Sequence, residues 1–324
     1  MPDISVVVPV YGCADCLGEL HRRLTAALEG MGTSHELVLV DDGSRDDAWQ
    51  VLRKLARDDP ALTAIRLSRN FGEEAAIAAG LSHASGRYVV VMDCDLQDAP
   101  EDIPRLYAAA LQGHDVVFTR RAERGHSRTR VAASRLYFSL MRRLFGGAVD
   151  PAYGNFSMIS RRVADAIQRL GDSDRHYRAI LAWAGFRQAE VHVEQAPRHA
   201  GESAYDLRAL IRHAADGVFF QSATLMRYIV YAGLLWALAG LALAIYFVVL
   251  YVAGAYDDPP GWTSLAVLIL LTTGSVMITL GVTGLYIGRI FRQVKGRPLF
   301  LIDEVVVGER ERGELTPPET YARR

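Results

Sequence analysis

The chain has 324 residues, 50% of them hydrophobic, and a formal net charge of -1. Near neutrality removes any global electrostatic argument for nucleic acid or for a strongly acidic partner. What carries information is where the apolar residues fall along the chain.

Ile4–Val10 (ISVVVPV) reads as a first parallel strand, and Leu17, Leu20, Leu24, Ala27, Leu28 and Met31 recur at helical spacing behind it. Pro2 and Asp3 lead straight into this strand with no basic stretch or small-residue cleavage site, which predicts a cytoplasmic N-terminal portion. Cys13 and Cys16 form a CxxC pair that could be read as a redox motif. No second pair offers a zinc site, so they read as two small, semi-buried side chains in a loop and a first helical turn. A second strand over 36–40 ends in Asp41 and Asp42, with Gly43 and Ser44 making the turn. Helix 46–57, strand 64–67 and helix 73–84 continue the alternation, which predicts a doubly wound, mostly parallel α/β sheet.

The stretch 88–102, YVVVMDCDLQDAPED, is an unbroken apolar run that ends in carboxylates. Such a run suits a strand buried on both faces, and Asp93 and Asp95 then fall at its C-terminal end, where these sheets bind ligands. The two-residue period points both carboxylates one way and Cys94 the other. Two hard oxygen ligands facing one crevice suit Mg²⁺ or Mn²⁺. Asp98, Glu101 and Asp102 fit the N-terminus of a helix starting near Pro100. Neither GxGxxG nor GxxxxGK[ST] follows any strand, so a bound phosphate needs another holder, and a metal on Asp93 and Asp95 is the candidate.

A strand over 115–119 leads into the arginine-rich loop RRAERGHSRTR. Arg120, nearest the strand, is expected to aim at a phosphate, and the later arginines at lipid headgroups. Segments 131–146 and 205–222 mix apolar and basic residues as helices lying in a membrane interface do. A short strand-like segment lies within 150–162, followed by a helix from about Val163. His176 and His199 stay unassigned, since a lone histidine on a helix is more often structural. Residues 228–253 and 259–288 contain no charged side chain apart from the turn between them and predict two membrane spans, about 228–253 and 263–288. Arg227 precedes the first, Arg289, Arg292, Lys295 and Arg297 follow the second, and only Asp257 and Asp258 lie between; both termini are expected in the cytoplasm. The expected organisation is a catalytic domain over 1–226, the spans within 227–290, and a cytoplasmic tail over 291–324.

In order, VVVPVYG, VLVDDGSRDD, LSRNFGEEAAIAAGL, VVMDCDLQDAPEDIP, DVVFTRR, WAGFRQ, RHAGESAY and VKGRPLFLIDE resemble the family 2 glycosyltransferases of the GT-A fold. The closest resemblance is to the subgroup that moves a sugar from a nucleotide to a polyprenyl phosphate, as dolichol-phosphate mannose synthases and bacterial undecaprenyl-phosphate glycosyltransferases do. That resemblance implies a GT-A domain with a two-helix membrane hairpin at the inner membrane. It also implies a UDP- or GDP-linked donor, a polyprenyl phosphate acceptor, a homo-oligomer with tetrameric precedents, and no nucleic acid partner. Gly284 and Gly288 in the second span give such an oligomer a small-xxx-small face. Pro9, Tyr11 and Asp41, with Asp42 close by, match the nucleoside pocket. Asp93, Asp95 and Gln97 match the DxDxQ that meets the metal and the diphosphate. Arg120, Arg198 and Ser203 match phosphate-holding positions.

Three departures stand out. Gly12 and Cys13 replace the usual Asn-Glu, Ala204 stands where the family's RxxGxSKY has lysine, and Gly154-Asn155-Phe156 replaces a Gly-Asp-Phe whose acid is a proposed base. Asp150 is the nearest alternative proton acceptor. The expected chemistry is in-line attack of the lipid phosphate on the anomeric carbon with inversion, Asp95, the metal and Arg198 acting on the departing diphosphate. A processive polysaccharide synthase is a poorer match, lacking here QxxRW and further spans. A non-catalytic membrane partner is favoured by Asn155 and Ala204 but opposed by intact Asp93, Asp95 and Gln97, and a nucleotidyltransferase lacks its glycine loop.

Overall fold

The computed structural model describes residues 1–121, 153–170, 176–193, 223–253 and 261–308. In chain order its elements are β1 (Ile4–Val10), α1 (Ala14–Gly30), β2 (His35–Asp41), α2 (Ala48–Asp58), β3 (Leu62–Leu67), α3 (Glu73–His83) and β4 (Tyr88–Val91). A 3-10 turn (Pro100–Asp102), α4 (Ile103–Leu111), β5 (Val116–Arg121), β6 (Tyr153–Ser160), α5 (Arg161–Gln168), α6 (Tyr177–Trp183) and β7 (Gln188–Val193) follow. The remaining elements are α7 (Ala223–Val252), α8 (Gly261–Val294) and β8 (Ile302–Val307). The chain divides into two compact units, the sheet with its helices and the pair of long helices.

All seven residues of β1 are buried. Its valines pack on both faces, Val6 and Val8 into the layer of α1 and α2, Val7 into the layer of α3. Each such side chain contributes roughly 1.5–3 kcal/mol relative to exposure. Helix α1 buries Leu17, Leu20, Leu24 and Leu28 along one stripe. Helix α3 is built differently: Ala75 through Leu81 are all buried, and Gly80 has no room for a Cβ because Val7 and Val40 fill that space. Small residues let this helix lie directly on β1 and β2.

The sheet is mostly parallel, as expected, but mixed: six of its eight described strands run one way and β6 and β8 run the other. Its order is β7-β5-β6-β4-β1-β2-β3-β8. Strands β4, β1, β2 and β3 run parallel, as do β5 and β7, whereas β6 runs antiparallel between β4 and β5 and β8 antiparallel to β3. Strand β8 falls in the stretch that the sequence assigns to the tail. It covers the β3 edge, with the Trp49 indole N–H donating to Glu304 at 3.3 Å and Ser68 N–H to the Leu301 carbonyl at 2.9 Å. Six residues following the apolar stretch carry too short a pattern to announce a strand whose partner lies far upstream.

The chain reverses direction in the sheet between β1 and β4, the place where open α/β sheets hold ligands. Val10 O accepts from Asp42 on β2's side and Val7 O accepts from Met92 on β4's side, so alternate residues address opposite neighbours. Pro9, in phase with Val7, has no N–H, and β4 has already ended at its level. The missing donor therefore costs the sheet nothing and the two strands part there.

Helices α7 and α8 contain 30 and 34 residues and cover both stretches expected to span a membrane. Leu235, Val252, Met277 and Phe291 stand exposed along them. Counting only the described residues, no helix carries an unbroken stretch long and apolar enough to cross a membrane. The expectation of two spans is thus carried by the sequence. The interfacial segments 131–146 and 205–222 and the arginine loop beyond Arg121 lie outside the described residues.

Candidate active site

The loops after β1, β2, β3 and β4 meet at the C-terminal edge of the parallel strands and brace one another. Gly12 N–H donates to Ser44 Oγ at 3.2 Å and Ala14 N–H to Asp46 Oδ2 at 3.0 Å. Gly43 (φ 67) would place a Cβ 2.7 Å from the backbone of Arg69 and Asn70, so the β2 turn sits directly on the loop after β3. Only glycine fits both that φ and that approach.

Asp41 and Asp42 lie beneath the crevice surface. Asp41 is wholly buried; Oδ1 accepts from Ser44 N–H at 3.1 Å, and among the described residues buried Oδ2 has no hydrogen bond, Arg66 Nε standing 3.8 Å away. Asp42 accepts from Phe71 N–H at 2.7 Å and Gly72 N–H at 2.8 Å, one to each oxygen. It thereby fastens β2 to the N-terminus of α3, where a carboxylate also suits the helix dipole. Burial pushes its carboxyl up, against the lowering effect of those two amides. Tyr11, by contrast, is half exposed on the crevice.

Strand β4 ends at Val91, so Asp93 and Asp95 stand on the turn beyond the strand rather than at its last residues. The alternation survives the change. Asp93, Asp95 and Gln97 are partly open, while Met92, Cys94, Leu96 and Asp98 are buried. Leu96 has φ 61, a left-handed conformation that costs a bulky residue roughly 1–3 kcal/mol. Its burial in the core and the Gln97 N–H donating to Asp95 Oδ1 at 3.1 Å hold the turn in that shape. Glu101 and Asp102 stand in the first turn of a helix beginning at Pro100, as expected, yet among the described residues no side chain caps that turn or α4 by a hydrogen bond. Glu101 instead pairs with Arg23 through two bonds of 2.6 and 2.8 Å, and Asp102 with Arg105 at 2.6 Å.

Two residues not singled out by sequence complete this edge. Glu73, at the start of α3, accepts from the Asn155 side-chain amide, which also reaches Asp93 Oδ1 at 3.4 Å. Although Glu73 keeps an open edge to solvent, desolvation first, and then the charges of Asp93 and Glu74, push its carboxyl up to about 7. Glu190 on β7 accepts from Tyr153 Oη and forms a 3.0 Å ion pair with Arg120. The Tyr153 bond first, then Arg120, holds the Glu190 carboxyl below its usual range. Glu73 reads in sequence as an acid complementing a helix dipole; the usable signal is its place just past Gly72 on the ligand-binding edge.

The CxxC pairing does not form. Cys13 is joined to Cys94 as a disulfide, and Cys16 is a free buried thiol pushed up by desolvation and then by the charges of Asp95 and Asp15. Asp150, Arg198, Ser203 and Ala204 lie outside the described residues.

The donor set suits a hard divalent cation. Glu73 and Asp93 crowd negative charge that the Asn155 amide and the Arg178 guanidinium offset only in part, since the Glu73 carboxyl is still pushed up, and a cation would relieve it. Among the described residues no group of three such side chains forms a ready cage. Two carboxylates completed by substrate oxygens and water are the usual arrangement for Mg²⁺ or Mn²⁺ beside phosphates.

Residues 5–168 match the family model described as glycosyl transferase family 2. The chain belongs to that family. A glycosyltransferase of unassigned role from Synechocystis is 34% identical over 304 residues, covering 94% of this chain and 95% of the relative. The undecaprenyl-phosphate 4-deoxy-4-formamido-L-arabinose transferase of Salmonella paratyphi A is 36% identical over 313 residues, 94% of each chain. Among solved structures, the glucosyl-3-phosphoglycerate synthase of Mycobacterium tuberculosis overlaps 68% of this chain and 80% of its own at a TM-score of 0.49 and 20% identity. The chain is a glycosyltransferase with the GT-A mixed sheet, and its acidic edge is where that family-2 chemistry must be sought.

Proposed function

We propose that this glycosyltransferase moves a sugar from a UDP- or GDP-linked donor to a polyprenyl phosphate, undecaprenyl phosphate by analogy with the Salmonella relative, at the cytoplasmic face of the membrane. The observation that carries the reading is the partly open row of Asp93, Asp95 and Gln97 at the reversal point of the sheet, beside a half-exposed Tyr11. In this reading Tyr11 and Pro9 wall the nucleoside, and Asp41 and Asp42 fix the loops that form the pocket floor. Asp93, Asp95 and Gln97 would hold Mg²⁺ or Mn²⁺. Such an ion supplies charge neutralisation for the departing nucleotide diphosphate.

The acceptor phosphate attacks the anomeric carbon in line, with inversion. A phosphate monoester has a second pKa of about 6 and is largely ionised at neutral pH, so positioning matters more than a strong base. Asn155 cannot accept a proton, and Asp150 remains the proposed acceptor for whatever protonated fraction binds. Arg120, Arg198 and Ser203 are assigned to the phosphates.

Support for the membrane setting comes from the sequence and from α7 and α8, whose large apolar side chains stand exposed. Gly281, Gly284 and Gly288 follow one side of α8, and among the described residues no neighbouring atom lies within 4 Å of where a Cβ would sit on any of them. A second helix of an oligomer would use that room.

The test is transfer of radiolabelled sugar from a panel of nucleotide sugars to undecaprenyl phosphate by the purified chain in detergent, with and without Mn²⁺, beside Asp95→Ala. A lipid-linked product from one donor that needs metal and Asp95 supports the reading. Nucleotide binding without transfer from any donor would remove undecaprenyl phosphate as the acceptor.

A further inference from the structure

Cys13 and Cys94 are 81 residues apart and joined. Cys13 lies on the loop after β1, two residues past Tyr11, and Cys94 sits between Asp93 and Asp95. Because burial alternates along 92–98, the Cys94 side chain turns away from the two carboxylates and into the core layer beneath α1, where Cys13 packs against the same cluster. The bridge therefore ties the turn from behind, leaving the face of Asp93 and Asp95 unobstructed. It couples the loop bearing the proposed nucleoside wall to the turn bearing the proposed diphosphate ligands.

We propose that Cys13 and Cys94 are a thiol–disulfide exchange site that sets how tightly the donor pocket holds nucleotide. This rests on the transferase reading above for what the pocket binds. Among the described residues, Cys13 O accepts from Cys16 N–H at the start of α1, and the bonds that tie this loop to a neighbouring one, from Gly12 to Ser44 and from Ala14 to Asp46, run to the loop after β2 and are exposed. Opening the bridge loosens the β1 loop against the acidic turn, and nucleotide binding must then order both. In a cytoplasmic setting a persistent disulfide is rare, and those that occur are mostly transient or redox-sensing.

The chemistry is ordinary exchange. Cys13 is partly exposed and Cys94 buried, so a thiolate of a cellular dithiol attacks Cys13 Sγ, and Cys94 leaves as the thiolate and takes up a proton. The second thiol of the reductant resolves the mixed disulfide, releasing Cys13 as a thiol and the reductant as its cyclic disulfide. Two electrons pass to the protein.

The experiment uses the full chain purified in detergent without reductant. Peptide mass mapping after alkylation is expected to show a linked Cys13–Cys94 pair, and two alkylated cysteines after treatment with a phosphine, which takes its oxygen from water. Calorimetry with UDP and GDP in Mn²⁺ is expected to show binding weakened roughly three- to tenfold in the reduced form, on the scale of ordering about one loop side chain. Cys94→Ser should bind like the reduced form and ignore phosphine; should that variant not fold, native protein before and after phosphine gives the same comparison. Cys16→Ser should keep the full response. Free thiols at Cys13 and Cys94 even after exposure to a small-molecule disulfide would overturn the proposal, as would equal affinities in both forms with the bridge mapped. Binding of neither nucleotide by either form removes the transferase reading and the switch together.

Discussion

Asn155 stands opposite Asp93 in the continuation of the β4–β6 ladder, two residues beyond the Val91↔Ser157 pair, and its amide links Asp93 to Glu73. An amide at this place does what a carboxylate could not: it donates to two acids at once. Asn155→Asp would put a third negative group into the cluster. Metal-free Asn155→Asp is expected to be destabilised by about 1 kcal/mol at pH 8, since solvent reaches the cluster and screens it. The loss should shrink at pH 5 and on adding Mn²⁺, as read by thermal unfolding in detergent. A loss equal at both pH values would mean that charge is not its cause.

Glu73 sets a second pH dependence in the metal-free protein. Its carboxyl is raised from 4.5 to about 7 in the folded chain. Between those values the folded state holds a proton that the unfolded state has released, so this group's contribution is present below pH 4.5 and is lost as pH rises through 7. Glu73→Gln cannot lose it. The stability of Glu73→Gln relative to the native chain should therefore climb from pH 5 to pH 7 and level off above. A flat difference across that range, from unfolding curves at each pH, would contradict the assignment.

Asp42 makes a prediction about the scaffold rather than the chemistry. Each of its oxygens receives one backbone N–H at the entrance to α3, and an amide side chain offers only one oxygen. Asp42→Asn should lower stability by about 2 kcal/mol, the scale of losing one bond from a buried charged acceptor. Because α3 carries Glu73, donor KM should rise with it. Unchanged melting would show that another group replaces the lost acceptor.

How far the sequence led follows from how local each signal is. The β-branched runs of β1 and β2, the helical stripe of α1 and the alternation through Asp93, Asp95 and Gln97 are properties of a few consecutive residues, and the structure repeats them. The Cys13–Cys94 bridge, the Glu73–Asn155–Asp93 cluster and the Arg120–Glu190 pair join residues tens of positions apart. The bridge exists because β4 pairs alongside β1, the cluster because β6 inserts antiparallel beside β4, and the ion pair because β7 lies along β5, neighbourhoods no local pattern announces. Strand β8 is hidden for the same reason, its partner β3 lying far upstream.

Arg120, expected to face a phosphate, pairs with Glu190, and Tyr153 bonds to the same carboxylate. Both members of the pair are more than a third exposed, so the link is worth little by itself and can open. An exposed pair contributes about 0.2–1 kcal/mol, which makes it a weak brake on Arg120. If Arg120 swings to a substrate phosphate, Glu190→Gln should lower the KM for the phosphate-bearing substrate it meets by roughly two- to fivefold, leaving kcat little changed. Arg120→Ala should raise the same KM. Measuring both variants against donor and acceptor separately tells which phosphate Arg120 holds. If neither variant moves either KM, Arg120 and Glu190 form a strand-to-strand tie between β5 and β7, and the phosphate role passes to Arg198 and Ser203.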